Sequence, residues 1–125
     1  MATGARPVSG NFTISAKEYI IGAKVINAAQ EDLGKIEDLI LDTRNSRVRY
    51  AILSFGGILG MGHKHFAIPW DALTFDRSEK IALLNMEKER LKNAPGFDQG
   101  NWPNLADSEW GVQIYTHYGY TPYWE

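Results

Sequence analysis

The chain has 125 residues, 13 basic and 15 acidic, for a formal charge of −2. That length is one domain, and 44% hydrophobic with 22% charged residues is the balance of a folded protein, not a disordered one. There is no cysteine, which excludes disulfide scaffolds, thiolate zinc sites, iron–sulfur clusters and cysteine nucleophiles; the charge offers no basic excess for nucleic acid or anionic membranes.

Residues 1–14 are mostly small or polar and read as a flexible lead-in. They hold no apolar run of the kind a secretory signal needs. Apolar stretches such as Leu39-Ile40-Leu41 and Ala51-Ile52-Leu53 fall far short of the roughly 18 residues of a membrane span. The expected location is therefore cytoplasmic. Ser15 with Glu18 fits a capping box, so Ala16 to Ile20 can close one helical turn.

Short strands follow. The first is Ala23 to Asn27, and Ala28 to Leu33 reads as a hairpin connection ending at Gly34. Lys35 to Asp42 is the second. Its apolar residues Ile36 and Leu39 are an odd step apart, which predicts a bulge within Glu37-Asp38. Val48 to Phe55 is the third, rich in β-branched and aromatic residues. Four glycines crowd Gly56 to Gly62, and His65 to Pro69 is a fourth strand, stopped by its proline. Leu73 to Asp76 and Ile81 to Leu84 flank a polar turn and make another hairpin. Five or six short strands without intervening helices indicate a small sandwich or partly closed barrel. Asn85 is the expected cap of a short helix, Met86 to Asn93, stopped by Pro95-Gly96. Asp107 is the expected cap of a second, Ser108 to Tyr118, closed by Gly119. Trp110, Ile114 and Tyr118 share one face of it, and Gly111 weakens it by about 1 kcal/mol.

Five segments carry a resemblance: Ile21-Gly22, the run Gly34 to Asp42, the glycine loop Gly56 to Gly62, Ala67-Ile68-Pro69-Trp70 and Asn93 to Phe97. In this order they resemble the PRC-barrel family. Residues 15–97 form the PRC-barrel-like domain, and 98–125 look like an extension of stand-alone bacterial members. The resemblance implies a mainly β fold: a small PRC-type β-barrel of about six strands, with a short helix and a helical C-terminal extension. The family includes the cytoplasmic domain of the photosynthetic reaction centre H subunit, a domain of the ribosome maturation factor, and many small proteins of unassigned role. In the first two the barrel is an accessory or assembly module. The resemblance supplies no catalytic residues and no cofactor.

The chemistry-bearing residues point the same way. The glycine loop matches neither phosphate fingerprint: His63 stands where a P-loop needs lysine, and His65 replaces the third glycine of a dinucleotide motif. Ile58, Leu59 and Met61 are apolar for a loop and are candidate partner contacts. His63 and His65 point one way from a strand, so with His117 they are the candidate metal ligands, set against solvated histidines at a loop edge. Glu37, Asp38 and Asp42 read as a solvated strand face and turn cap, and Trp70 as core. Arg44, Arg47 and Arg49 are the clearest cation cluster.

The extension, residues 98–125, carries four acids and no Lys or Arg. It also carries Trp102, Trp110, Tyr115, Tyr118, Tyr120, Tyr123 and Trp124. Aromatics among acids argue against nucleic acid, since phosphates would be repelled. They suit packing on the barrel, of the same chain or a second copy, with a different protein as the alternative. The expectation is a non-enzymatic protein-interaction or assembly module, a homodimer, with Ile58, Leu59, Met61, Trp110, Tyr118 and Trp124 as contacts. The alternatives are an adaptor in ribosome assembly, and a small-ligand or metal protein.

Overall fold

The computed structural model describes residues 13–56, 63–76 and 78–125. Among the described residues, seven strands form one sheet: β1 (Lys24–Ile26), β2 (Asp32–Asp42), β3 (Arg47–Gly56), β4 (His63–Pro69), β5 (Leu73–Asp76), β6 (Ile81–Leu84) and β7 (Phe97–Asp98). Their order is β5-β6-β1-β2-β3-β4-β7. Every neighbouring pair is antiparallel except β1 with β6. Three short α-helices accompany the sheet: α1 (Ala16–Tyr19), α2 (Lys88–Lys92) and α3 (Ser108–His117).

The fold is mainly β, as the sequence indicates, with one strand more than expected. The addition is β7, whose two residues pair with Lys64 and His65 of β4. The extension thus leaves the barrel from an edge strand of the sheet. The expected bulge is present, with the β2–β3 register shifting between Ile36 and Asp38 and again between Ile40 and Leu41. Such shifts bend a strand. The sheet rolls far enough that Leu73 and Leu84 share one core with Phe66 and Ile68 of β4, at the other side of the strand order. Val25, Leu33, Ile36, Ala51 and Leu53 complete it, and Leu91 of α2 joins them.

Two boundaries differ from expectation, the starts of β2 and α2. The turn before β2 is made by Asn27, whose Oδ1 accepts from the Ala29 and Glu31 amides. Gly34 therefore lies inside β2, at φ +124°, opposite Val25. A Cβ there would stand 2.1 Å from the Ser54 carbonyl oxygen, so only glycine lets β2 pass this close to β3. Helix α2 begins after Glu87, not Asn85. The caps at Ser15 and Asp107 form as expected: Ser15 accepts from the Glu18 amide, and Asp107 from Glu109 and Trp110.

Strand β3 explains where the extension goes. Tyr50, Ala51, Ile52 and Leu53 are all at 0% exposure. Successive residues of a strand point to opposite faces, so both faces of β3 are covered. Ala51 and Leu53 face the inner core. Tyr50 and Ile52 face outward, with Ala67 of β4, into a second core with Phe97, Ile114 and Tyr115. That second core is the extension lying on the outside of the barrel.

Candidate interaction surfaces

The outer side of β3 and β4 is closed by aromatic packing. Tyr50 meets Trp110 and Tyr115 edge to face, with centroids 5.6 and 5.8 Å apart. Tyr115 meets Trp124 the same way at 4.9 Å. Such pairs each add about 0.5–1.5 kcal/mol beyond the area they bury. The Tyr115 hydroxyl donates to the Arg49 carbonyl at 2.7 Å. Gly111 is the point of closest approach: a Cβ there would stand 2.7 Å from both the Trp124 ring and the Tyr50 hydroxyl. The residue that weakens α3 as a helix is thus the one that lets it lie down on the barrel. The buried face of α3 is accordingly Gly111, Ile114 and Tyr115, with Trp110 and Tyr118 half-buried beside it.

Two arginines clamp the end of the chain. The Arg47 guanidinium lies 3.9 Å from the Tyr123 ring centroid, and that of Arg49 lies 4.0 Å from the Trp124 ring. Contacts of this kind stabilise by about 0.5–2 kcal/mol, more as water is excluded. Asp42 joins them. It accepts from the Tyr123 hydroxyl and from Arg49 at 3.1 Å, while still capping its own turn at Arg44 and Asn45. The Tyr123 bond, then that of Asn45, holds the Asp42 carboxyl well below the usual carboxylate range. Burial pushes the Tyr50 phenol up to about 12 and raises Tyr115 and Tyr118 in the same direction.

This seam is less completely satisfied than the inner core. Among the described residues, the buried side-chain polar atoms without a partner belong to Arg47, Tyr50, His65, His117, Tyr118 and Trp124. All lie on the extension or beneath it. Each such atom costs about 1–3 kcal/mol of uncompensated desolvation. The extension is held by area and by its arginine clamp against that cost.

Among the described residues, nothing packs over the outer side of β5, β6 and β1. Leu73 and Phe75, Ala82 and Leu84, and Val25 turn inward. The alternate residues therefore turn outward. They stand in two cross-strand rows: Asp76, Ile81 and Lys24 in one, and Thr74, Leu83 and Ile26 in the next. Leu83 is 40% exposed, and Ile26 and Ile81 are half-buried.

The structure disperses the candidate site residues. Ile58, Leu59 and Met61 lie outside the described residues. Trp110, Tyr118 and Trp124 pack on their own barrel. His63 is placed only as the first residue of β4. His65 is fully buried, its Nε2 lying 3.1 Å from Glu37 Oε2 and its ring stacked at 5.8 Å on Phe97, with Trp102 beside it. It is neither solvated nor at a loop edge, and its carboxylate neighbour is Glu37, which is exposed on β2 as expected. His117 packs edge-on against Tyr118 on α3. Among the described residues, no group of three or more His, Cys, Asp or Glu is placed to hold a metal ion. Two of the three clustered arginines are engaged: Arg47 pairs with both Asp71 oxygens at 3.2 Å, and Arg49 with Asp42, while Arg44 is exposed. Trp70 packs on the inner core against Phe75, as expected. Among the described residues no helix is long and apolar enough to cross a membrane.

Sequence reasoning missed both the clamp and the His65–Glu37 contact. The clamp had a visible signal. Tyr50 to Leu53 and Phe66 to Pro69 do not alternate apolar with polar, and a strand that fails to alternate is covered on both faces. An acidic aromatic segment without basic residues suits the arginines of that strand. The histidine contact had no such signal, because it depends on how tightly β2 bends.

The PRC-barrel domain profile matches residues 16–91, more than half of the chain. The chain belongs to the PRC-barrel family. No curated protein matches it. PRC-barrel domains are generally non-catalytic modules, and the barrel of this chain is a small β module. The profile covers α1, β1 to β6 and nearly all of α2. The aromatic extension that closes over β3 and β4 lies beyond it.

Proposed function

We propose that this PRC-barrel protein is a non-enzymatic protein-interaction or assembly module that self-associates as a homodimer. The observation that supports it is the division of the outer sheet surface. One half is closed by the chain's own aromatic extension, and the other keeps Ile26, Ile81 and Leu83 turned outward. Apolar residues grouped on one sheet face favour burial against another surface. In this reading Trp110, Tyr118 and Trp124 serve the fold. The partner contacts are the uncovered face and the glycine-loop residues Ile58, Leu59 and Met61.

Light scattering of the full chain over a wide concentration range tests it. A mass rising toward twice 14.1 kDa is the expected result. A mass that stays at 14.1 kDa throughout removes self-association from the proposal. Replacing Ile58, Leu59 and Met61 together by alanine then separates the loop from the sheet face: an unchanged association assigns the contact to the face.

A further inference from the structure

The uncovered face has a charge order that is complementary to itself. In one row Asp76, Ile81 and Lys24 run acidic, apolar, basic across β5, β6 and β1. In the next row Thr74, Leu83 and Ile26 stand in the same strand order. Both charged residues are exposed and loosely held. Lys24 lies 3.9 Å from Asp32, with both side chains more than half exposed. Asp76 accepts from the Ser78 amide and hydroxyl through Oδ1 alone.

We propose that this face is a homodimer interface in which two copies pack about a two-fold axis running along β6. The inference rests on the reading of the chain as a self-associating module and names the surface that does it. A two-fold along β6 sets β6 on β6, and the β5 of each copy against the β1 of the other. Ile81 then meets the partner's Ile81, and Leu83 meets the partner's Leu83. Asp76 meets the partner's Lys24, and symmetry makes that ion pair twice. An axis across the strands has no such effect. It sets Asp76 against the partner's Thr74 and Lys24 against the partner's Ile26, and pairs neither charge. The apolar centre supplies attraction, and the flanking charges select the orientation. Six side chains per copy make a contact smaller than the roughly 800 Å² per partner of a standard interface. The dimer is therefore weak, concentration-dependent and loosened by salt.

Sedimentation velocity of the full chain tests this, with Lys24→Glu, Asp76→Lys, the double variant Lys24→Glu/Asp76→Lys, and Leu83→Lys. All three positions are surface sites, and an unchanged melting temperature confirms that each variant is folded. Each single charge reversal is expected to weaken association at least about tenfold, since it places like charges in contact twice. The double variant restores the pairing with its signs exchanged and recovers most of the loss. Leu83→Lys abolishes association. Single reversals without effect, or a double variant no better than the singles, overturn the interface. If the wild-type chain dimerises and all four variants dimerise equally, self-association stands and this face is not its site. If the wild-type chain is a monomer at every concentration, both readings fall.

Discussion

On β3 the outward residues Tyr50 and Ile52 are fully buried, whereas on β6 the outward residue Leu83 is 40% exposed. Both strands belong to one sheet and turn their other face to one inner core. The difference is what lies on top. Over β3 and β4 the chain supplies its own cover, in which Ile114 and Tyr115 fill the face and Arg47 and Arg49 hold the last aromatic residues. Over β6 and β1 the described residues supply none. The covered face is aromatic and broad, the uncovered one aliphatic and narrow. Burying a large aromatic surface offsets the cost of ordering a long segment, which three aliphatic side chains cannot do.

The contrast can be broken most sharply at Tyr115. Tyr115→Ala removes a fully buried ring at the centre of the seam, and urea unfolding should show a loss of about 3–5 kcal/mol. A loss below about 1 kcal/mol would mean that the cover contributes little to the fold. Gly111→Ala comes next. It improves helix propensity by about 1 kcal/mol, yet its methyl group meets Trp124 and Tyr50. The clash should win, for a net loss of about 1–2 kcal/mol in the same experiment. A stabilised variant would show that α3 can lift from the barrel at no cost.

The pH dependence sharpens the same contrast. Tyrosine is neutral when protonated, and burial raises Tyr50, Tyr115 and Tyr118 above the usual value near 10. The unfolded chain therefore releases protons first. Stability should be complete below about pH 10 and decline as pH rises toward the folded values. Near-ultraviolet circular dichroism, which follows the packed rings, should lose signal over that range. Asp42 works in the opposite sense, because its hydrogen bonds hold its folded carboxyl well below the usual carboxylate range. Its contribution is present above about pH 4 and declines as pH falls. Asp42→Asn should flatten this acid limb of the stability curve. The smallest expected effect belongs to the uncovered face: Leu83→Ser should alter the stability of the monomer by no more than about 0.5 kcal/mol. A larger loss would show Leu83 to be part of the fold rather than a surface residue.

Much of the barrel was legible beforehand. The bulge at Glu37-Asp38 followed from an odd apolar step, and the caps at Ser15 and Asp107 from side chains that accept backbone amides. These depend on residues a few positions apart. The misread positions depend on distant ones. Gly34 looked like a turn residue but is required where β2 passes the Ser54 carbonyl. Gly111 looked like a defect in α3 but is its seat on the barrel. His65 looked solvated at a loop edge, yet it is fully buried beside Glu37, and Asp42 caps its turn as expected but also takes Tyr123 and Arg49.

What the sequence by itself determined is most of the elements and the family, because alternation, turn chemistry and capping act over short spans of chain. Only the tertiary structure decided which outer face the extension covers and which it leaves bare. That choice depends on how far the sheet rolls and on which side chains, some 60 to 80 residues apart, then come within reach. Aromatic burial over β3 and β4 and the pairing of Asp42 with Tyr123 and Arg49 settle it, and each exists only once the barrel has closed.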